Sequence, residues 1–470
     1  MTDIYTLTWN WLSSSPFIAA ATEAATEAAT ESDAEEGTLV LAGVLLSLVI
    51  IYFASKLGGE VCSRINLPPV LGELVGGVLV GISAFHLLVF PESGSLPEDS
   101  VIMGLLQSTA GLPPESATSV FTSQSEVITL LSELGVIILL FEIGLESDLK
   151  ELIRVGPIAA VVAVVGVVAP FVAGTAGLVY IFHTPVVPAV FAGAALTATS
   201  IGITAKVLAE LGQLSSEEGQ IIIGAAVLDD ILGIVVLAVV ASLVKTGEIQ
   251  VTNIIYLVIS AAVFLIGSIL LGRLISPAIV GLVNEMKTRG EVLLTGLVFA
   301  FVLSYIATVI NLEGILGAFA AGLILAETDK RKELEEQIIP VADFFVPIFF
   351  VCVGAKTDIS VLDPTVPSNR EGLIIATFLI LVAILGKVIT GFTVFGNPDL
   401  NKLAIGVGMI PRGEVGLVFA GVGSASGALS EATEAAIIVM VIATTFVAPP
   451  LLRLVFKETD IGQPVDEVQK

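Results

Sequence analysis

Long apolar runs, separated by short polar segments, occupy almost the whole chain. Each run approaches the roughly 20 residues that an α-helix needs to cross the hydrocarbon core of a membrane. There are thirteen such runs, so the pattern predicts an all-α membrane protein with thirteen transmembrane helices. Their approximate limits are 38–58, 68–90, 126–146, 155–182, 187–211, 218–244, 252–280, 291–310, 313–328, 338–357, 371–396, 401–424 and 433–456.

The composition agrees with an integral membrane protein. Of 470 residues, 55% are hydrophobic and only 14% are charged, with a mean hydropathy of +0.99, whereas soluble domains carry roughly 25% charged residues. The net charge of −25 lacks the basic surface that nucleic-acid binding needs. Two cysteines are too few for a disulfide framework or a zinc site. A soluble enzyme and a nucleic-acid-binding protein are excluded, and we expect no cofactor.

Basic residues indicate which helix ends face the cytoplasm, because cytoplasmic loops collect Lys and Arg. Of the 20 Lys and Arg residues, fifteen fall on one side of the predicted membrane and only Lys245, Lys356 and Arg370 on the other. The remaining two, Lys387 and Arg412, lie within predicted helices. This asymmetry predicts a multi-pass cell-membrane protein with an extracellular amino terminus and a cytoplasmic carboxyl terminus.

Polar segments flank and interrupt the membrane part, 38–456. Residues 1–37 contain seven acidic and no basic residues and repeat Ala, Thr and Glu, which predicts a solvated or partly helical extracellular tail of low complexity. The outer loop 91–125 is also acidic and free of Lys and Arg. Residues 457–470 form a short cytoplasmic tail.

Two motifs recur in the same order in both halves of the membrane part. LGELVGGVLVG begins 72 residues before IGLESD, whereas LGAFAAGLILA begins 37 residues before VGAKTD. The difference of 35 residues is the length of the loop 91–125, which we therefore interpret as an insertion. The matched positions are Gly72 and Gly317, Gly77 and Gly322, Gly144 and Gly354, and Asp148 and Asp358.

These matches predict two six-helix repeats, 38–244 and 291–456, joined by a linker helix at 252–280. One extra helix makes the second repeat cross the membrane in the opposite direction, and such inverted repeats are typical of secondary transporters. The alternative is that small-residue patterns recur in any packed helix bundle. Two ordered matches and one loop that explains the length difference favour the repeat.

Three ionisable residues lie in the middle of predicted helices, where charge is costly and indicates function. Asp229 and Asp230 are adjacent in the sixth helix, so their side chains point about 100° apart. Lys387 is alone in the eleventh helix and needs a carboxylate partner or the loss of its proton. We expect Asp229 to pair with Lys387 and Asp230 to bind an ion. The pair is either purely structural or opens during function, with Lys387 releasing a proton.

Two predicted helices are interrupted by polar or glycine-rich clusters. The fifth contains Thr197, Thr199 and Ser200, and the twelfth contains Pro411-Arg412-Gly413-Glu414. Broken helices expose carbonyl groups and helix ends that coordinate cations. The opposed helix ends require compensating charge, for which the candidates are Arg412, Glu414 and Lys387.

Glu73 and Glu142 also fall inside predicted helices. They are candidates for secondary protonatable sites. An acid near a glycine-rich helix interface is the alternative, and the sequence does not favour either interpretation.

Several ordered motifs resemble the cation:proton antiporter-2 branch of the sodium/hydrogen exchanger superfamily over about 38–456. They are PPVLGELVGG, LLFEIGLESDL, ALTATSIGITAKVLAELG, AAVLDDILGIVVLA, FFVPIFFVCVGAKTD, LGKV and GMIPRGEVGLVFA. The resemblance implies thirteen helices, a mobile part that holds two crossing broken helices, and a dimerisation part, hence a homodimer. It also implies that Asp230 binds the ion, that Asp229 pairs with Lys387, and that Thr199 and Ser200 line the site.

Two features depart from related branches. The electroneutral branch has Asn-Asp at the aspartate pair and a glutamate four residues earlier, which pairs with an arginine. This chain has Ala225 at the position of that glutamate, so the resemblance does not supply a partner for Arg412. Many potassium-efflux relatives carry a cytoplasmic nucleotide-binding domain after the membrane part. Such regulation of this chain would need a separate subunit.

Together these features predict antiport of a monovalent cation, most simply Na⁺, against H⁺ by alternating access. Asp230 would bind either the cation or a proton, and release of a second proton by Lys387 would make transport electrogenic. The partners would be inorganic cations, protons and membrane lipid. Alternatives are K⁺/H⁺ antiport or K⁺ efflux, a gated cation channel, and proton-coupled uptake of an organic solute. An aspartyl protease is disfavoured because adjacent aspartates diverge and cannot share one water.

Overall fold

The computed structural model describes residues 16–246, 251–286, 288–365, 367–395, 398 and 400–460, and this part of the chain contains helices and no β-strand. The helices are α1 (Pro16–Arg64), α2 (Pro69–Val80), α3 (Val101–Thr109), α4 (Ala117–Glu146), α5 (Leu149–Tyr180), α6 (Val186–Ala195), α7 (Ile201–Glu210), α8 (Glu217–Thr246), α9 (Val251–Glu285), α10 (Glu291–Val309), α11 (Gly314–Ala326), α12 (Arg331–Ala355), α13 (Pro367–Gly391), α14 (Lys402–Gly408), α15 (Glu414–Ala425) and α16 (Glu431–Asp460). Short 3-10 turns lie at Pro91–Ser93, Pro97–Asp99 and Ile359–Leu362.

Within the described residues, nine helices are long and apolar enough to cross a membrane, namely α1, α4, α5, α8, α9, α10, α12, α13 and α16. The prediction of an all-helical membrane protein is therefore confirmed. The other four predicted spans correspond to the shorter helices α2 and α11 and to the interrupted pairs α6–α7 and α14–α15.

The boundaries predicted for the second span and the loop after it were wrong. α2 ends at Val80 rather than at residue 90, because the chain turns at Gly81 and Ile82 donates a hydrogen bond to the Ala355 carbonyl (3.2 Å). The apolar residues 82–90 are not helical, and Leu88 and Phe90 are buried by packing instead. The predicted loop 91–125 contains α3, and its last nine residues belong to α4.

The ends of the chain also differ from the predicted segments. α1 begins at Pro16 and continues the first span outward through much of the predicted acidic tail. Residues 1–15 of that tail and residues 461–470 of the predicted cytoplasmic tail lie outside the described residues.

The helices form two bodies. The core bundle consists of α5–α8 and α13–α16, in which α5 packs on α8 and α13, and α13 packs on α16. The panel consists of α1–α4 and α10–α12, in which α4 packs on α11 and α12, and α2 packs on α1 and α12. α9 lies against α11 of the panel and touches α8 of the core bundle. Contacts between the two bodies are fewer and include those of α7 with α2 and α4.

Glycines bring two pairs of panel helices into backbone contact. Gly77 of α2 faces the backbone of Gly354 on α12, and Gly144 of α4 faces the backbone of Gly322 on α11. A Cβ at any of these positions would overlap main-chain atoms of the partner helix. Small residues allow this close approach of helices in membranes.

Candidate functional site

Both segments predicted to be interrupted are interrupted, and their breaks contact each other. Residues 196–200 separate α6 from α7, and residues 409–413 separate α14 from α15. The Ser200 N–H donates a hydrogen bond to the Pro411 carbonyl (2.8 Å), and the Thr199 hydroxyl donates to the Met409 carbonyl (3.1 Å). The unwound backbone of each segment therefore satisfies groups of the other.

Arg412 neutralises the end of the first broken helix. Its side chain is fully buried, and its Nη1 donates to the carbonyls of Thr197 (3.1 Å) and Ala198 (2.6 Å), just after α6 ends. The last carbonyls of a helix lack intrahelical partners and carry partial negative charge, so a guanidinium is well matched there. The Thr197 hydroxyl instead donates to the Ala194 carbonyl of its own helix (2.7 Å).

Asp229 and Lys387 form an ion pair inside the core bundle. Lys387 Nζ lies 3.0 Å from Oδ1 and 3.1 Å from Oδ2 of Asp229, and neither side chain has exposed surface. Asp229 comes from α8 and Lys387 from α13. The structure thus brings together the two residues that the sequence predicts as partners.

The Asp230 side chain lies in a different environment from that of Asp229. It lines a cavity of about 10 Å³ together with Thr199, Ser200 and Gly413. This volume is close to the minimum that one water-sized guest requires. The carboxylate and the two hydroxyl-bearing residues that the sequence predicts as an ion site therefore meet at the crossing of the broken helices.

The other sequence candidates lie elsewhere. Glu73 accepts a hydrogen bond from the Ser55 hydroxyl (2.9 Å), and Glu142 lines a second cavity described below. α15 begins at Glu414, but the side chain of Glu414 lies outside the described residues.

A sequence model of the family described as "Sodium/hydrogen exchanger, transmembrane" matches residues 36–458. The chain belongs to the sodium/hydrogen exchanger family.

Two sequence relatives of this exchanger-family chain are named as antiporters. It is 74% identical over 442 residues to the high-affinity Na⁺/H⁺ antiporter NhaS3 of Synechocystis, covering 94% of each chain. It is 32% identical over 418 residues to the Na⁺/H⁺-K⁺ antiporter GerN of Bacillus cereus, covering 88% of this chain and 96% of the relative.

A solved structure shares the fold at low sequence identity. The sodium proton antiporter MjNhaP1 of Methanocaldococcus jannaschii aligns with a TM-score of 0.59 and 16% identity, covering 91% of this chain and 99% of the other. The likeness supports an exchanger fold for the described helices.

Two larger cavities lie between the core bundle and the panel of this exchanger-family chain. The large cavity, about 510 Å³, is mostly apolar and includes Ile315 and Gly413, which also line the small cavity at Asp230. The acidic cavity, about 460 Å³, is lined by several carboxylates and one arginine and has no lining residue in common with the small cavity. Its ionisable residues are Glu142, Glu146, Arg331, Glu335 and Glu336.

One supporting residue was missed from the sequence, and a second, Thr204, was recognised there only as a member of the polar cluster of the fifth helix. The Thr445 hydroxyl of α16 donates to the Arg412 carbonyl, and the Thr204 hydroxyl of α7 donates to the Gly408 carbonyl (3.0 Å). Thr204 belongs to a polar cluster that is visible in the sequence, but Thr445 sits in an ordinary apolar span. No local signal distinguishes it from an interhelical threonine.

Proposed function

We propose that this chain is a secondary active Na⁺/H⁺ antiporter in which Asp230 binds either the cation or a proton. The observation that carries the proposal is the ion-sized cavity where Asp230 meets Thr199 and Ser200 at two crossed helix breaks. Relatives at 74% and 32% identity are named as Na⁺/H⁺ and Na⁺/H⁺-K⁺ antiporters, which supports the same exchange reaction. The proposal includes no enzymatic activity and no cofactor.

Oxygen atoms suited to a small hard cation surround this cavity. Na⁺ is coordinated by carboxylate, hydroxyl and carbonyl oxygens, as other hard cations are. Thr199 gives its hydroxyl hydrogen to the Met409 carbonyl, which leaves its oxygen lone pairs for a cation. A proton on Asp230 removes the negative charge that holds the cation. Competition between the two guests couples the fluxes.

The Asp229–Lys387 pair would supply a second proton. When a cation is bound at Asp230, the core bundle gains positive charge close to the ammonium of Lys387. Loss of a proton by Lys387 relieves that charge, and two H⁺ then exchange for one cation, so transport is electrogenic. Full burial of the 3.0 Å pair supports this role, because water does not screen the charges.

Alternating access would move the core bundle against the panel. The small cavity adjoins the large cavity through Ile315 and Gly413, which supports a state in which Asp230 is accessible from that side. With the amino terminus extracellular, the large cavity is the outer one and the acidic cavity is the cytoplasmic one. The panel would also form the interface of a homodimer in the cell membrane.

The glycine contacts support thirteen helices in two inverted repeats, 38–244 and 291–456, around a linker. Gly77 and Gly322 are equivalent positions, as are Gly144 and Gly354. The structure pairs Gly77 with Gly354 and Gly322 with Gly144. The first motif of each repeat thus contacts the second motif of the other repeat. Reciprocal contacts of this kind are expected when a two-fold axis relates the two repeats. In addition, the core bundle and the panel each contain three predicted spans from each repeat.

Proteoliposomes with an imposed pH gradient and a trapped pH dye test the function. We expect Na⁺ to dissipate the gradient with the wild type and Asp230→Asn to remain at the background of empty liposomes, because the neutral amide cannot exchange a proton. K⁺ and Li⁺ are added in turn, since the relative GerN is named as a Na⁺/H⁺-K⁺ antiporter.

Asp358→Asn serves as the matched control. Asp358 accepts a hydrogen bond from the Ser360 N–H (2.8 Å) far from Asp230, and asparagine keeps an acceptor there. Exchange by Asp230→Asn at the rate of this control would contradict the site. Wild-type protein that moves no protons with any cation would contradict antiport and favour a channel or an organic-solute carrier.

A further inference from the structure

The last turn of α7 carries a direct polar contact between the core bundle and the panel. The Val70 N–H of α2 donates to the carboxylate of Glu210, at 3.2 Å from Oε1 and 3.4 Å from Oε2. Glu210 is the final residue of α7, next to Ala209 of the acidic cavity. A side chain of one body thus binds the main chain of the other.

The amino terminus of α2 depends on this contact. Its N-cap residue, Pro68, makes no side-chain cap, and its first residue, Pro69, has no N–H to donate. Val70 therefore offers the first free N–H of the helix. Helix amino termini carry partial positive charge and are stabilised by a carboxylate. Glu210 caps α2 from another helix, in place of a cap from its own sequence.

One helical turn before Glu210, α7 presents the opposite charge to the panel. Lys206 interacts electrostatically with Glu73 of α2 and with Glu142 and Glu146 of α4. The same face of α7 thus matches a cation to panel carboxylates and an anion to a helix amino terminus. In the observed register the amino terminus of α2 stabilises the Glu210 carboxylate and Lys206 attracts the panel carboxylates, and these attractions oppose the repulsion between Glu210 and Glu73.

We propose that Glu210 and Lys206 form a latch that holds the core bundle against the panel beside the acidic cavity and keeps that cavity closed to Asp230. This inference rests on the proposed movement of the core bundle. Residues four apart in a helix are separated by about 6 Å along its axis. A slide of α7 by one turn would bring Glu210 to the panel carboxylates or Lys206 to the amino terminus of α2. Each outcome is repulsive, so the latch favours two discrete states over a continuous slide.

Cysteine labelling in the purified protein tests the latch without transport. In a background with Cys62→Ser and Cys352→Ser, one reporter is Ile338→Cys, a buried residue of the acidic cavity, and the other is Leu417→Cys, an exposed residue of the large cavity. We expect Glu210→Ala to speed maleimide labelling at Ile338→Cys and to slow it at Leu417→Cys. The ratio of the two rates should change about tenfold, as expected for loss of a charge-assisted hydrogen bond.

Glu210→Gln keeps an acceptor for Val70 but loses the charge, so its ratio should lie between those of Glu210→Ala and the wild type. Lys206→Gln should shift the ratio in the same direction as Glu210→Ala, and it decides the question if Glu210→Ala does not fold. The matched control is Glu218→Gln. Glu218 also accepts a hydrogen bond from a main-chain N–H, that of Asn401 (2.9 Å), but both of these residues lie within the core bundle.

Ratios for Glu210→Ala and Lys206→Gln that both match Glu218→Gln would overturn the latch. Failure of the proposed function gives a different result, because wild-type liposomes would then show no cation-dependent proton movement. The labelling ratios would still respond to Glu210 if the two bodies move for another purpose.

Discussion

At the scale of single residues, the central feature is a buried ion pair between a lysine and an aspartate. Asp229 and Lys387 have no exposed surface and lie 3.0 Å apart. Removing one member of a buried pair leaves an uncompensated charge, which costs about 3–5 kcal/mol, whereas replacing both by neutral groups costs far less. The pair is therefore more important for the charge balance of the core bundle than for its net stability.

We expect Lys387→Ala to lower the thermal unfolding temperature in detergent strongly, by the equivalent of about 3–5 kcal/mol. The double variant Asp229→Asn/Lys387→Gln should recover most of that loss, because neither member of the pair is then left as a buried charge without the other. A double variant as unstable as the single one would show that the two side chains do not compensate each other.

Residue types allowed this pair to be predicted. A lone lysine in an apolar span needs a carboxylate, and the chain offers a buried one in Asp229. The cap of Val70 by Glu210 was not predictable, because its donor is a main-chain N–H, which has no sequence signature. Arg412 was predicted as a compensating charge for the opposed helix ends, but its particular acceptors were not, because main-chain carbonyls have no sequence signature.

At the scale of helices, backbone contact between α4 and α11 fixes the interior of the panel. We expect Gly144→Val to destabilise the protein by at least about 1–3 kcal/mol, because the added side chain overlaps the Phe319 carbonyl and Gly322 of a neighbouring helix. Thermal unfolding in detergent measures the effect.

Gly421→Ala in α15 is the matched control, since a Cβ there meets no atom within 4 Å. It should retain the wild-type unfolding temperature or exceed it, as alanine favours a helix more than glycine does. An unchanged unfolding temperature for Gly144→Val would mean that α4 and α11 are farther apart than the structure indicates.

Hydropathy predicted the positions of the helices well and the residues at which they end less well. The predicted second span continued to residue 90 because residues 82–90 are apolar, yet the helix ends before Gly81, and Leu88 and Phe90 pack with residues of α1, α4 and α12. Hydropathy indicates that a segment avoids water, but it does not distinguish a membrane-spanning helix from an irregular segment that packs against other helices. The two helix breaks were predictable because Thr, Gly and Pro clusters are poorly suited to a continuous helix.

At the scale of the whole molecule, α9 connects the core bundle with the panel and is attached to the panel by an ion pair. Arg273 of α9 donates to both carboxylate oxygens of Glu327, which follows α11, at 2.6 and 2.8 Å. These hydrogen bonds lower the pKa of Glu327 below its usual value. The charged form is therefore favoured in the folded protein.

We expect Glu327→Gln to destabilise the protein slightly at neutral pH, by about 0.2–1 kcal/mol, because the pair is partly exposed. A carboxylate with a lowered folded pKa contributes stability above its unfolded pKa of about 4.3 and loses it as the pH falls through the folded value. The difference in unfolding temperature between wild type and variant should therefore vanish in acid. A difference that persists or grows below that range would contradict the ion pair.

The architecture of the two bodies was partly predictable. Repeated motifs predicted two halves, and the described helices fall into two bodies that each draw on both halves. The orientation predicted from Lys and Arg, and the mobile and dimerisation parts implied by the resemblance, stay predictions. The assignment of particular helices to the core bundle and the panel required three-dimensional contacts, such as that between Gly77 and Gly354, because helices distant in sequence make up each body.

The small cavity at Asp230 has a consequence for the solvent. A volume of about 10 Å³ holds one water-sized guest and excludes a cation that keeps its hydration shell. If Asp230 is the ion site, as proposed above, the ion exchanges its waters for protein oxygens on the way from the large cavity past Ile315 and Gly413. On that proposal each turnover moves the cation without its hydration water, so exchange transfers ions across the membrane without transferring water with them.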